Sequence, residues 1–489
     1  MEEISRKMAR GAAWMVLVRL GERVLGLVST MVLARLLVPE DFGLVALAAS
    51  LLGLLEIMGA FNFDLALIQN QQAERHHYDT AWTLDLLYGA LTAVVLAALA
   101  VPAAHFFGDP RLEAVLYVFA ACALIQSCKN IGIVVFQKEL DFRREFQFIL
   151  LKKLVGVAVT LVLAFTLRTY WALALGTLSS TLAGVAISYG MHPFRPRLSL
   201  SGWRPLMRFS GWMLFSNVMI FVGNRGYDLI IGRLGGAGSL GLYTVAYEIS
   251  NLPTTEIVWP ISKAIFPGFS RMAGDRERLR ETLLQTAALV ALITIPAGAG
   301  VAVLAEPVVR IFLGTKWLAA VPLIQILAVF GTVRAMQAGT GAAFLALGMT
   351  RLTAWIAVPH VIVGLPLAAF LLMQYGLQAA TLGILAAGAV ALALSFTIAT
   401  RVLFLRLADL GACFWRPLLA TTAMVLVELE LLAGLGPVAS LLQLTAWTLL
   451  LVAVGATVYA AATLLLWQSA GRPAGAERIL LDRLRALRG

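Results

Sequence analysis

Apolar residues run in stretches of about twenty along almost the whole chain, and polar residues collect in the gaps between them. A hydrocarbon core about 30 Å thick takes roughly 20 apolar residues in helix. Fourteen stretches meet that need: 12–37, 42–63, 80–105, 112–135, 148–167, 170–191, 207–232, 242–264, 285–304, 318–345, 352–373, 377–400, 417–435 and 442–467. Alanine, leucine, valine and glycine dominate them, a composition suited to helices packed closely on one another. Nothing follows the alternation of a barrel strand. The pattern predicts an all-α polytopic membrane protein of about fourteen spans. Composition agrees. Of 489 residues, 60% are hydrophobic and 13% charged, about half the charged share of a soluble chain. Cys122, Cys128 and Cys413 are too few and too scattered for a disulfide framework or a zinc ribbon.

Basic residues orient the spans. With the N-terminus inside, the inward segments hold 27 Lys and Arg and the outward ones six. Both termini and the loops 138–147 and 192–206 are therefore expected in the cytoplasm. The net charge of +11 follows from this bias, so no nucleic-acid partner is expected. The basic start runs straight into a long first span without a cleavage motif, so that span is expected to be retained.

The chain resembles itself at an offset of 198 residues. AWMVL at 13–17 and LARLLVPEDFGLVALA at 33–48 match GWMLF at 211–215 and IGRLGGAGSLGLYTVA at 231–246. Trp14 meets Trp212, Arg35 meets Arg233 and Gly43 meets Gly241 without a gap. Six spans separate the copies, so both face the same way and two lobes are expected about a pseudo-two-fold along the membrane normal. The organisation expected is an N-lobe over 1–200, a C-lobe over 201–405, two further spans over 406–470, and an amphipathic cytoplasmic tail over 471–489. Such an arrangement predicts a transporter with its site between the lobes, rather than a duplicated scaffold.

Charged groups inside spans cost about 2.5–3.5 kcal/mol each on insertion scales, so those present are expected to face protein or water. In the first span Arg19, Glu22, Arg23, Gly26 and Thr30 share one helical stripe. The seventh span carries Asn217, Asn224 and Asp228 with Arg225 in reach. The eighth carries Thr244, Tyr247, Glu248, Asn251 and Thr255. The fourth adds Gln126, Lys129 and Asn130, and the tenth Arg334 and Gln337. Each group can equally be a brace between helices. Together the stripes predict a hydrated cavity in which surplus arginine favours an anion, and amides and Tyr hydroxyls suit sugars. The candidate binding residues are Arg19, Glu22, Arg23, Lys129, Asn217, Asn224, Arg225, Asp228, Tyr247, Glu248, Asn251 and Arg334. His360 reads as a packing residue. No phosphate-binding Gly loop, H-E-x-x-H or metal-spaced carboxylate cluster occurs. The predicted outer loops are short, which counts against a membrane polymerase or ligase.

The segments VLARLLVPEDFGLVALA (32–48), ALIQNQQ (66–72), FFGDPRL (106–112), QKELDFR (137–143), DLIIGRLGGAGSLGLYTVAYEI (228–249), FPGFSRM (266–272) and LGTKWLAAVPLIQIL (313–327) resemble the polysaccharide-transporter branch of the MOP flippase superfamily, in order, across about residues 10–400. The resemblance implies a Wzx-type flippase of undecaprenyl-pyrophosphate-linked oligosaccharide in the bacterial inner membrane. It implies two six-helix lobes around a V-shaped cavity plus two helices, and a polysaccharide polymerase and glycosyltransferases as partners beside membrane lipids. Relatives place essential arginines in the first span, which Arg19 and Arg23 match by span and depth. No cofactor is implied, and coupling to H+ or Na+ stays open. A cation-coupled exporter of small amphiphiles is the alternative; the pair of spans beyond twelve counts against it.

Overall fold

The computed structural model describes residues 21–58, 67–68, 72–139, 141–201, 221–223, 225–252, 254, 269, 272, 274–349, 352, 355–356, 358, 360–434, 440–472 and 475–478. Among these residues there is no strand. The main helices are α1 (21–36), α2 (Pro39–Met58), α3 (Arg75–Phe107), α4 (Arg111–Ser127), α5 (Phe142–Leu167) and α6 (Trp171–Met191), then α7 (Arg225–Leu252), α8 (Arg276–Val303), α9 (Val321–Met336), α10 (Leu365–Leu403), α11 (Leu407–Gly434) and α12 (Leu441–Ser469). Among the described residues nine helical segments are long and apolar enough to cross a membrane, or ten when α4 is joined across a 64° bend to Ile131–Lys138. The chain is a multi-pass membrane protein.

Two of these segments carry a glycine outside helical φ, and one of them is too long for a single crossing. The stretch Val361–Leu403 holds 43 residues; as one helix it would reach about 65 Å, twice the hydrocarbon thickness. Gly376 breaks it with φ 82° and ψ −173°. Gly236 inside α7 takes φ 78°. Left-handed residues of this kind interrupt a helix, and glycine adopts them without a Cβ penalty. Both breaks fall where the hydropathy pattern leaves gaps between predicted spans, after 373 and between 232 and 242. The predicted stretches 12–37, 207–232 and 242–264 lie partly outside the described residues, so the structure does not establish a count of fourteen.

Contacts divide the chain into two compact units, 1–241 and 242–489, the boundary falling within α7. In the first unit α3 packs on α4, α5 on α6, and α4 on both α2 and α6. Small residues make these approaches. A Cβ at Gly89 would strike Ser127, and one at Gly156 would strike Ser180. Close helix contact of this kind is how membrane bundles gain dispersion energy where lipid supplies no hydrophobic drive. In the second unit α8 packs on α9 and α11, α11 on α12, and α9 on α10.

The internal repeat reappears as a symmetric contact inside the first unit. A Cβ at Gly43 would overlap the Ala237 carbonyl, and a Cβ at Gly241 would overlap the Pro39 carbonyl. Ala237 is Pro39 advanced by 198 positions, as Gly241 is Gly43 advanced by 198. Residue i touching j′ while i′ touches j is the mark of a two-fold relation. The matching glycines thus meet as partners.

The C-terminal tail departs from expectation where it leaves α12. Ala476 and Glu477 are buried, and Glu477 pairs with Arg416 of α11 at 3.3 Å. Arg416 is itself only 8% exposed. Removing one member of a buried pair costs about 3–5 kcal/mol, because the other charge is left unpaired. A surface tail would be dispensable for the fold; the ion pair instead ties its first turn to α11. Truncation after 474 should lower the thermal midpoint and the amount of protein recovered. Truncation after 478 should do neither.

Candidate functional site

In the first unit, α1 carries Glu22 exposed and Arg23 half-buried. Arg19, Asn217 and Asn224 lie outside the described residues. Lys129 sits half-buried where α4 ends and the chain bends. Asn130 builds that bend. Its side chain accepts from the Gly132 N–H at 2.9 Å and donates to the carbonyls of His192 (3.1 Å) and Phe194 (2.8 Å). Its own N–H donates to Ser188 at 3.0 Å. With its amide thus committed, Asn130 positions Lys129 and is itself a brace.

Lys152 of α5 belongs with Lys129. It lies within electrostatic range of Lys129, Glu22, Glu56 and Lys153, so side chains from α1, α2, α4 and α5 converge. Its methylenes run past Gly184 of α6, where a Cβ would come within 3.0 Å of the Lys152 Cδ. A long stem lying on apolar helix surface, with the ammonium reaching a polar region, is the usual way lysine enters a membrane. Lys152 and Glu56 are not among the candidates read from the sequence. Glu56 is a lone charge within the stretch 42–63, and Lys152 lies beside Lys153 within the stretch 148–167.

Asp228 is buried. Arg225 Nη1 donates to its Oδ2 at 3.0 Å, and Ser50 Oγ donates to the same oxygen at 3.1 Å. The carboxylate therefore ties α7 to α2, with an exposed Arg225 one turn away. In the second unit Arg334 Nη1 of α9 donates to the Tyr247 hydroxyl, and its guanidinium lies 5.8 Å from the centroid of that ring. Asn251 is buried. Its amide donates to the Tyr247 carbonyl at 3.0 Å and to Ser250 Oγ at 3.2 Å, and the side chain packs over Gly331 of α9. Glu248 is half-buried. The structure thus brings Tyr247, Asn251 and Arg334 together in one unit, and Glu22, Lys129 and Lys152 in the other.

The family-like motifs prove to be turn and cap chemistry. In FFGDPRL, Gly108 ends α3 in the left-handed region at φ 72°. Asp109 then accepts from the Arg111 N–H at 3.0 Å and from its guanidinium at 3.0 and 2.8 Å. That fork holds the Asp109 carboxyl below its ordinary range. In PEDFG, Asp41 accepts from the N–H groups of Val38 (3.3 Å) and Tyr170 (3.1 Å), joining two loops. In QKELDFR, Asp141 caps α5 through the Arg144 N–H at 3.3 Å.

Comparison with known proteins follows the same line. The chain is 26% identical to the succinoglycan biosynthesis transport protein ExoT of Rhizobium meliloti over 66% of this chain and 66% of that one. It is 25% identical to the lipopolysaccharide biosynthesis protein WzxC of Escherichia coli over 70% of each, and 26% identical to the teichuronic acid biosynthesis protein TuaB of Bacillus subtilis over 60% of this chain and 62% of that one. Among solved structures, the lipid II flippase MurJ in an inward closed conformation superposes with a TM-score of 0.75 at 14% identity, covering 93% of this chain and 99% of that one. An inward-facing multidrug MATE transporter of the MOP superfamily gives 0.63 at 16% identity, covering 80% and 98%. At such identities the likeness is one of fold. The family described as polysaccharide biosynthesis protein is matched over residues 32–322, more than half of the sequence, and the chain belongs to that family.

Proposed function

We propose that this protein is a flippase that carries undecaprenyl-pyrophosphate-linked oligosaccharide across the bacterial inner membrane by alternating access, for surface polysaccharide assembly. It is read as a transporter and not as an enzyme, with both termini in the cytoplasm. Family membership supports the substrate class. The observation that carries the reading is that Lys152 of α5 lies within electrostatic range of Glu22 of α1, Glu56 of α2 and Lys129 just past α4. Charges at membrane depth are costly and mark substrate or ion routes. Here the two lysines, with Arg23 on the same helix as Glu22, offer donors to a pyrophosphate. Tyr247, Asn251 and Arg334 in the second unit offer the aromatic face and polar groups that suit sugars. The polyprenyl tail stays in lipid throughout.

In cells, loss of the protein should cause lipid-linked repeat units to accumulate with their headgroups on the cytoplasmic leaflet. Normal export without it would refute the assignment. Lys152→Met keeps the stem that lies on Gly184 and removes the charge. It should lower export about tenfold or more, the factor that one charge-assisted contact of about 1.4 kcal/mol supplies, with protein level unchanged. For orientation, single cysteines at 141 and 200 should react with an impermeant reagent only after the cells are opened.

A further inference from the structure

A cavity of about 700 Å³ lies wholly within the second unit, between α8, α11 and α12. Its walls are aliphatic, from residues such as Pro296, Val301, Met424 and Ala456. Four lining residues are polar: Glu428, Tyr459, Thr463 and Glu477. Among the described residues no lysine or arginine lines it.

Three of the four leave no charge unpaired. Tyr459 donates its hydroxyl to the Leu292 carbonyl at 2.6 Å and so presents its ring. Glu477 is neutralised by Arg416, which stands outside the cavity. Thr463 is uncharged; its Oγ1, like Oε2 of Glu477, is also buried without a hydrogen-bond partner. Glu428 is different. It sits well inside α11, three turns from Arg416, and is 2% exposed. One carboxylate oxygen lies over Gly455 of α12, where a Cβ would clash with it. The other, Oε2, is buried without a hydrogen-bond partner. The titratable groups lining the cavity with it are Tyr459 on α12 and Glu477 beyond it; α8 contributes none.

An unpaired carboxylate in apolar surroundings is costly and is relieved by a proton or by a cation. The space far exceeds what a proton needs, and no metal-ligand cluster occurs among the described residues. Ligand pockets of roughly 300–1,000 Å³ with apolar walls and few polar groups suit drug-sized organic molecules. The acidic lining disfavours an anionic lipid head, and the Tyr459 ring adds a surface that cations favour. We infer that this cavity binds a hydrophobic organic cation, with Glu428 as its counter-charge. Protons compete with such a ligand for the Glu428 carboxylate.

Ethidium is the probe, with the full chain in a non-ionic detergent. Saturable fluorescence enhancement is expected, weakening on acidification, and Glu428→Gln should lose about tenfold affinity or more, the loss of one ion-pair contribution of about 1.4 kcal/mol. Should that variant fail to fold, the wild-type protein serves. Dicyclohexylcarbodiimide should modify Glu428, and ethidium should protect it. Equal ethidium binding by Glu428→Gln, or modification without protection, would overturn the inference. Displacement of ethidium by undecaprenyl phosphate at equal concentration would also overturn it, making the cavity a seat for the lipid tail.

Discussion

Replacing Arg19 and Arg23 together by alanine is expected to abolish polysaccharide export while the protein accumulates and inserts normally. Arg23→Ala alone should come close to that, and Arg23→Lys should recover part. Helical spacing puts Arg19, Glu22 and Arg23 on one stripe, with two arginines to one glutamate in the sequence. A pyrophosphate bridging the arginines would accept several charge-assisted hydrogen bonds, each worth roughly 1.5–3 kcal/mol. Two such bonds lost together account for a fall of about two to four powers of ten in occupancy. Lysine retains charge and loses the planar fork that meets phosphate at two points. Export and protein level are read side by side in a complementation assay. Intact export would remove these arginines from the site. Loss of the protein itself would make them structural.

Gly43→Val or Gly241→Val should remove folded protein from the membrane. The Cβ of either variant would occupy the place of a backbone carbonyl oxygen, that of Ala237 or Pro39 respectively. A flexible side chain can swing aside; backbone fixed in a helix end cannot. Overpacking in a tight interior costs about 1–3 kcal/mol even where side chains can adjust, and here two helices must part. Gly26→Ala is the internal control, since nothing lies within 4 Å of the place its Cβ would take and alanine favours helix by about 1 kcal/mol over glycine. Detergent-extracted protein followed by thermal size-exclusion should show the valine variants lost and Gly26→Ala unchanged or steadier. Normal midpoints for both valine variants would mean that the repeats do not cross at these glycines.

Much of this fold could be read from hydropathy, because apolar length is a direct response to bilayer thickness. The breaks at Gly236 and Gly376 fall in gaps that the pattern itself leaves. The repeat was legible too, since Gly43 and Gly241 appear in one register, although that they touch could be seen only in three dimensions. The site was less legible. Asp228 reads as part of a polar stripe, yet Ser50 of α2 donates to it alongside Arg225 of its own helix and makes it a tie between helices. A one-dimensional stripe does not say which neighbours its groups spend their hydrogen bonds on. Lys152 falls within the predicted stretch 148–167, but its stem lying on Gly184 could be seen only in three dimensions. The tail misleads for a similar reason. Amphipathic spacing shows a face but not the buried Arg416 that holds its first turn.

The central claim is that the protein moves the headgroup of a lipid-linked sugar from one leaflet to the other. The direct measurement is reconstitution into vesicles with a fluorescent undecaprenyl-pyrophosphate oligosaccharide, using an impermeant reagent to quench headgroups on the outer leaflet. With the wild-type protein and an imposed ion gradient, the quenchable fraction should change with time, and Arg19→Ala with Arg23→Ala should hold it at the value of protein-free vesicles. A wild-type trace that stays at the protein-free value under proton and sodium gradients of either direction would contradict the account.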